Sequence, residues 1–392
     1  MKKYVATTIA LILLLFWPTM AQDFGSPVEP PNPERIHSEF EQRYLDQLSK
    51  RGRNLDSQGL YVESLDGSLV LADHHADVGF NPASVIKIAT SFAALEKLGA
   101  EYHFETAFAA AGTINKKTRT LEGDLVLLST GDPVLTNLDV NRMILQVIKA
   151  GVARVNGSLV VTGPFTYSSY QQTSTAIKRL ENLLRKQGVR VTKPTRRASA
   201  NGKVLASHLS PSLQEIIYEQ NAHSVNQTAE RLGEAIGGPE GVRKFLIHGV
   251  GIPEDEIYIE RTSGLNRNRI TPHGTVQLLR YFVLWLNFNN MLPQDVLPVA
   301  GIDAGTLRSR FTTVDYRGSV IGKTGTLPAT DGGVSTLAGF VYTRDRGVLL
   351  FAIFNTHGDV NVYRRLQDGL IKDIIEESGG AELSASSRKS SN

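Results

Sequence analysis

The sequence predicts an α+β protein: one antiparallel sheet built from both ends of the chain, a helical cluster on one side of it, and an insert lobe that splits the domain. Three observations carry this. Strand-like runs lie near the N-terminus and again near the C-terminus. Long runs with helical period lie between them. A stretch over 103–203 alternates short strands and helices of its own.

The elements follow in chain order. Residues 1–21 combine Lys2 and Lys3, an apolar run from Tyr4 to Trp17, and small residues before a cut after Ala21. That is the layout of a secretory signal, and the run is shorter than the roughly 20 residues that span a bilayer. Residues 22–34 are Pro-rich and polar and read as a flexible lead. Spacing predicts a helix over 34–50, then strands over 60–65 and 69–72 joined at Asp66-Gly67, a hairpin signal. Pro82 precedes an apolar, Ala-rich helix over 83–98. The insert holds strands at 123–129 and 157–162 and helices at 138–150 and 175–186. Helical period returns over 213–236 and 272–288. Strands at 319–324, 334–342 and 348–354 and a helix over 361–376 close the fold. The polar run 378–392 reads as a disordered tail. The main domain is therefore 35–102 plus 204–377, with 103–203 as the insert lobe.

Composition excludes several functions. There are no cysteines, which removes disulfides, thiolate metal sites and a thiol nucleophile. Net charge is +3, of which Lys2 and Lys3 supply two, and no basic stripe suggests nucleic acid. No His-x-x-x-His pair encloses a glutamate, so a zinc-peptidase helix is not supported. The polar tail, with no amphipathic C-terminal helix, predicts no stable membrane anchor.

Three short motifs carry chemistry. They are Ser84-Val85-Ile86-Lys87, Ser224-Val225-Asn226 and Lys323-Thr324-Gly325, in that order. Each is weak alone: Ser386–Lys389 and Ser390–Asn392 repeat the first two patterns in the polar tail, where a solvated surface run is the plain reading. Context separates the copies. Ser84 falls at a helix start, where free N–H groups and the helix dipole favour developing negative charge. Lys87 lies one turn on and can reach the Ser84 hydroxyl. A serine hydroxyl needs a base, and lysine is a base only when neutral, through desolvation or a neighbouring cation such as Lys323. Lys323 is also a candidate partner for a substrate carboxylate, with the Thr324 and Thr326 hydroxyls. Gly325 lets a substrate backbone lie along the strand edge. The amides of Ser84 and Thr326 are candidate oxyanion donors. Ser224 is placed to relay a proton, and Asn226 to hold an acyl-side amide. The set suits acyl transfer on a peptide with a free C-terminal carboxylate.

The chain resembles the low-molecular-mass, class C penicillin-binding D-alanyl-D-alanine carboxypeptidases, peptidase family S13. Beyond the three motifs, the likeness rests on Phe80-Asn81-Pro82-Ala83-Ser84, Gly123-Asp124-Leu125, Gly131-Asp132-Pro133, Ser263-Gly264-Leu265 and Leu297-Pro298-Val299-Ala300-Gly301. It implies the penicillin-recognising fold shared by serine DD-peptidases and β-lactamases. It makes Ser84 the acylated nucleophile and Lys87 its base, with Ser224, Asn226 and Lys323 completing the catalytic set and Thr324, Gly325 and Thr326 binding substrate. It implies serine-type D-Ala-D-Ala carboxypeptidase activity on peptidoglycan stem peptides, DD-endopeptidase activity in some members, acylation by β-lactam antibiotics, no metal or organic cofactor, and a periplasmic location. Only 140 positions separate Ser84 from Ser224, which implies a trimmed insert.

Two other readings stand beside it. A serine β-lactamase uses the same motif order, but Glu260 is followed by Arg261-Thr262-Ser263, not by the Glu-x-x-Leu-Asn loop of a class A enzyme. A non-catalytic peptidoglycan-binding protein can share the fold, because fold does not fix activity.

Overall fold

A computed structural model of the protein describes residues 32–168 and 172–382. The signal sequence, most of the lead and the tail beyond 382 lie outside the described residues. The chain enters through β1 (Glu34–Arg35), α1 (Glu39–Lys50) and the hairpin β2 (Gln58–Ser64) and β3 (Leu69–His74), then reaches α2 (Lys87–Leu98). The next segment contains β4 (His103–Asn115), β5 (Thr120–Ser129), α3 (Asn137–Lys149), β6 (Arg154–Val155), β7 (Leu159–Thr162), α4 (Thr173–Lys186), β8 (Arg190–Val191), β9 (Arg196–Arg197) and β10 (Lys203–Ser212). The return runs through α5 (Leu213–His223), α6 (Asn226–Ala235), α7 (Gly238–Phe245) and α8 (Pro272–Phe288). It ends with β11 (Val320–Leu327), β12 (Val334–Thr343), β13 (Gly347–Asn355) and α9 (Val360–Glu377).

Among the described residues the first sheet has six strands in the order β1-β3-β2-β13-β12-β11. The two ends of the chain meet where β13 pairs antiparallel with β2, Phe351 opposite Val62. Only the β1–β3 pair is parallel. β11, which carries the third motif, is an edge strand. The central strands are apolar on both faces, so both must be covered. Leu350, Ala352 and Phe354 face a core completed by Ile88 and Phe92 of α2 and Leu279 and Phe282 of α8. Leu349, Phe351 and Ile353 face a second core with Phe40, Tyr44 and Leu48 of α1 and Leu366, Leu370 and Ile374 of α9. The sheet is thus sandwiched, where the sequence places helices on one side only.

The second sheet runs β10-β4-β5-β6-β8, with β7 parallel to β5 and joined to β9. It packs on α3 and α4 through Phe108, Leu127, Met143, Val147 and Leu180. Three sequence boundaries move. β10 pairs antiparallel with β4, so this sheet continues to Ser212 and does not close at 203. The run 213–236 is two helices, because Ser224 adopts a left-handed conformation (φ 55°) that ends α5 before α6 starts at Asn226. Residues 378–382, expected to open the tail, bond back to the sheet: Ala381 bridges Thr343, and the Arg344 amide donates to the Gly380 carbonyl at 3.1 Å. No described helix is long and apolar enough to cross a membrane.

Candidate active site

The turn that presents Ser84 is fixed before the helix begins. The Phe80 amide donates to the Ile270 carbonyl at 3.1 Å. Asn81 accepts from the Ala83 amide at 3.0 Å and donates to the Asn266 carbonyl at 2.8 Å and to Asp331 at 3.0 Å. Ala83 is held at φ +46°, a strained value for a residue with a Cβ. A short 3-10 turn, Ala83–Ile86, then runs into α2. The helix expected from residue 83 therefore opens with a tighter turn. Gly264 (φ +86°) backs it, and a Cβ there would sit 2.0 Å from the Ala83 carbonyl oxygen.

Lys87 is fully buried. Its Nζ lies 2.8 Å from Ser84 Oγ and 2.7 Å from Asn226 Oδ1, and donates to the Ser263 carbonyl. Burial brings its pKa down to about 7, while the Glu230 charge acts the other way. Nζ thus donates to three oxygens, Ser84 Oγ among them. Once neutral, the amine keeps two N–H donors for Asn226 and Ser263 and turns a lone pair toward the Ser84 hydroxyl. Glu230, one turn past Asn226 on α6, holds the Ser263 loop. It accepts from the Ser263 hydroxyl at 2.5 Å, the Ser263 amide at 3.2 Å and Arg261 Nε at 3.2 Å.

On β11 the side chains alternate. Lys323 is fully buried and donates to the Thr324 carbonyl at 2.9 Å. Burial, and then the like charge of Lys87, hold its amine well below the usual lysine range. The outer edge of β11 is covered only in its first half, where the Ala300 amide donates to the Val320 carbonyl at 2.8 Å and the Gly322 amide to the Pro298 carbonyl at 3.3 Å. Strand parity puts the Thr324 and Thr326 amides on this same outward side. Beyond Gly322 the edge faces the site.

A cavity of about 470 Å³ opens there. Ser84, Ser224, Asn226, Thr324 and Thr326 line it, so five sequence-predicted residues share one wall. Lys87 and Lys323 lie beneath. Lys323 is fully buried and is not part of the cavity wall. Gly325 also has a packing role: a Cβ there would lie 2.1 Å from Thr336 Oγ1 and 2.6 Å from the Pro82 carbonyl oxygen. It lets β11 press against the turn that carries Ser84.

Sequence reasoning missed four wall residues: Thr306, Ser309, Arg310 and Arg364. The Thr306 amide donates to the Ala222 carbonyl at 2.9 Å, which ties its loop to the end of α5. Arg364, on α9, donates from Nη2 to Thr326 Oγ1 at 2.9 Å. Nothing in the local pattern separates this arginine from Arg365 beside it. Among the described residues no group of three or more His, Asp or Glu is placed to hold a metal ion.

A serine hydroxyl on a buried lysine, under the edge strand of a sandwiched sheet, defines the penicillin-recognising class of serine enzymes. The chain belongs to the D-Ala-D-Ala carboxypeptidase 3 (S13) family, whose profile matches residues 42–172 and 162–372. It is 30% identical over 117 residues to D-alanyl-D-alanine carboxypeptidase DacB of Haemophilus influenzae, a match covering 30% of this chain and 23% of that protein. It is 40% identical over 78 residues to a D-alanyl-D-alanine carboxypeptidase of Actinomadura sp., covering 20% of this chain and 14% of that one. The matches thus span less than a quarter of these relatives' lengths. Crystallographic penicillin binding protein 4 from Haemophilus influenzae superposes with a TM-score of 0.71 at 20% identity, over 85% of this chain and 98% of that one. A predatory endopeptidase from Bdellovibrio bacteriovorus gives 0.69 at 19% identity, over 84% and 94%. At these identities the structural likeness is one of fold.

Proposed function

We propose that the protein is a serine-type D-Ala-D-Ala carboxypeptidase that hydrolyses peptidoglycan stem peptides through an acyl-serine, with cross-links between D-centres as a second substrate. The observation that carries this is the 2.8 Å contact between Ser84 Oγ and a fully buried Lys87 whose pKa falls to about 7.

The geometry supports the following course. Neutral Lys87 takes the Ser84 proton as Oγ attacks the penultimate D-Ala carbonyl. The Ser84 and Thr326 amides face the developing oxyanion. Lys87 returns the proton through Ser224 to the leaving amine, the C–N bond breaks, and terminal D-Ala departs. Water, deprotonated by the same lysine, then hydrolyses the ester and restores Ser84. Asn226 keeps Lys87 aligned and faces the acyl-side amide, while Lys323 assists from beneath. Gly325 closes β11 onto the nucleophile's turn. The Thr324 and Thr326 hydroxyls receive the carboxylate.

β-Lactams present a strained amide in the same place. The Haemophilus protein is described in complex with a novel β-lactam, and a Bdellovibrio endopeptidase as penicillin G acylated. The leader over residues 1–21 supports export to the periplasm, where the polymer lies. We also read the β4–β10 segment as an insert lobe, tied to α6 where Arg231 donates to the Pro133 carbonyl at 2.8 Å.

The test is the intact mass of the mature protein after brief incubation with benzylpenicillin, beside Ser84→Ala. The expected result is a long-lived adduct of one penicillin, absent from the variant. Rapid loss of penicillin without an adduct would instead establish a β-lactamase. Intact penicillin and an unmodified protein would establish a binding protein.

A further inference from the structure

The three motifs leave the substrate carboxylate without a charged partner. Lys323 is buried, engaged with the Thr324 carbonyl, and absent from the cavity wall. Lys87 is held by Ser84, Asn226 and Ser263. Yet the wall is suited to an anion. It carries hydroxyls, one amide and two guanidinium groups, and no carboxylate.

The two arginines differ. Arg310 is buried, and its Nε donates to Asp368 Oδ1 at 2.6 Å, so its charge is compensated. Its Nη2 also reaches the Arg364 carbonyl at 3.4 Å, which steadies that turn of α9. Arg364 is exposed, and its bond is to the neutral Thr326 hydroxyl. Among the described residues no carboxylate pairs with it. Asp368, four residues on, stands where a helix commonly supplies an ion-pair partner, but it is engaged by Arg310. A guanidinium has five N–H donors in a planar fork, and this one uses a single donor on Thr326. Thr326 meanwhile offers its amide on the open edge beside Ser84. One residue thus links the oxyanion pole to an uncompensated cation.

We propose that Arg364 is a specificity-determining residue of this site, whose unused guanidinium donors bind the carboxylate of the leaving residue. This rests on the acyl-transfer reading above. The leaving residue lies with its carbonyl end toward Thr324, Thr326 and Arg364, and its nitrogen toward Ser224. Arg310 acts through Arg364 as a positioning residue.

The test compares the purified protein with Arg364→Ala and Arg364→Lys on two peptides, diacetyl-Lys-D-Ala-D-Ala and its C-terminal carboxamide. A charge-assisted pair predicts a fall in kcat/KM of about 10- to 100-fold for the acid in Arg364→Ala. The carboxamide should change by about twofold or less, since it forms no such pair. Arg364→Lys should recover part of the preference for the acid. An unchanged preference in Arg364→Ala, or an equal loss on both peptides, would overturn the proposal. A wild type that releases neither residue and forms no penicillin adduct would instead remove the acyl-transfer reading, a result distinct from an active enzyme indifferent to Arg364.

Discussion

Lys87 and Lys323 beneath the cavity and Arg364 on its wall are cations of one site in opposite surroundings. The two lysines are fully buried, and burial depresses both amines. The arginine is exposed. Desolvation is useful where a proton must leave an ammonium and harmful where a fixed charge must meet a carboxylate. On the function proposed above, the floor is assigned to proton transfer and the wall to recognition. This division predicts that floor substitutions act on rate for every substrate, while wall substitutions act on selection among substrates.

The largest effects belong to the floor. Ser84→Ala should abolish acylation by benzylpenicillin, and Lys87→Ala should slow it by about 10³-fold or more, because the hydroxyl then lacks its base. Single-turnover mass spectrometry reads both, and a Lys87→Ala enzyme near wild-type rate would break the comparison. Stability should move the other way. The Lys87 amine titrates near 7 in the fold against 10.5 in its unperturbed state. Between those values an unfolded chain holds the extra proton, so stability rises with pH across that interval and is least below it. Lys87→Met should therefore stabilise the fold at neutral pH, on the order of a few kcal/mol. The gain should shrink toward pH 10 in denaturant titrations.

Next comes the support of the nucleophile's turn. A Cβ on Gly264 would meet the Ala83 carbonyl oxygen at 2.0 Å, and its backbone is already left-handed. Gly264→Ala should push the Ala83–Ser84 turn out of line and lower acylation about 100-fold for acid and carboxamide peptides alike. A loss confined to the acid would show that this turn belongs to recognition.

The same division explains what was legible in the sequence. Ser84, Lys87, Ser224, Asn226 and Lys323 fall within short motifs of close spacing, so the sequence singles them out. The wall does not read this way. Thr306, Ser309 and Arg310 come from a loop and Arg364 from the polar side of α9, and they meet only because the loop docks on α5 and α9 packs on the sheet. The fold shows a similar split. Hairpin β2–β3 and strands β11–β13 have turn residues and apolar runs. β4 was missed because its centre is Ala-rich, and alanine is a poor strand former outside a packed sheet. β10 was missed because it is polar and carries Pro211, tolerable on an edge strand. The helix break at Ser224 carries no glycine or proline, so periodicity alone runs through it.

The smallest expected effect lies between floor and wall, at Glu230. Its carboxylate fixes the Ser263 loop, whose carbonyl accepts from Lys87, and its charge favours the protonated amine. The base must be neutral to act, so the wild-type acylation rate should rise as pH passes through about 7. Glu230→Gln keeps most of the hydrogen bonds and removes the charge. The amine then loses a stabilising neighbour, its pKa falls further, and the rising limb of the pH–rate profile moves to lower pH. The plateau should drop only a few-fold, because a weaker base still sits in place. If the limb instead stayed fixed while the plateau fell, Glu230 would be a purely structural support, and the titration of Lys87 would be set by burial alone.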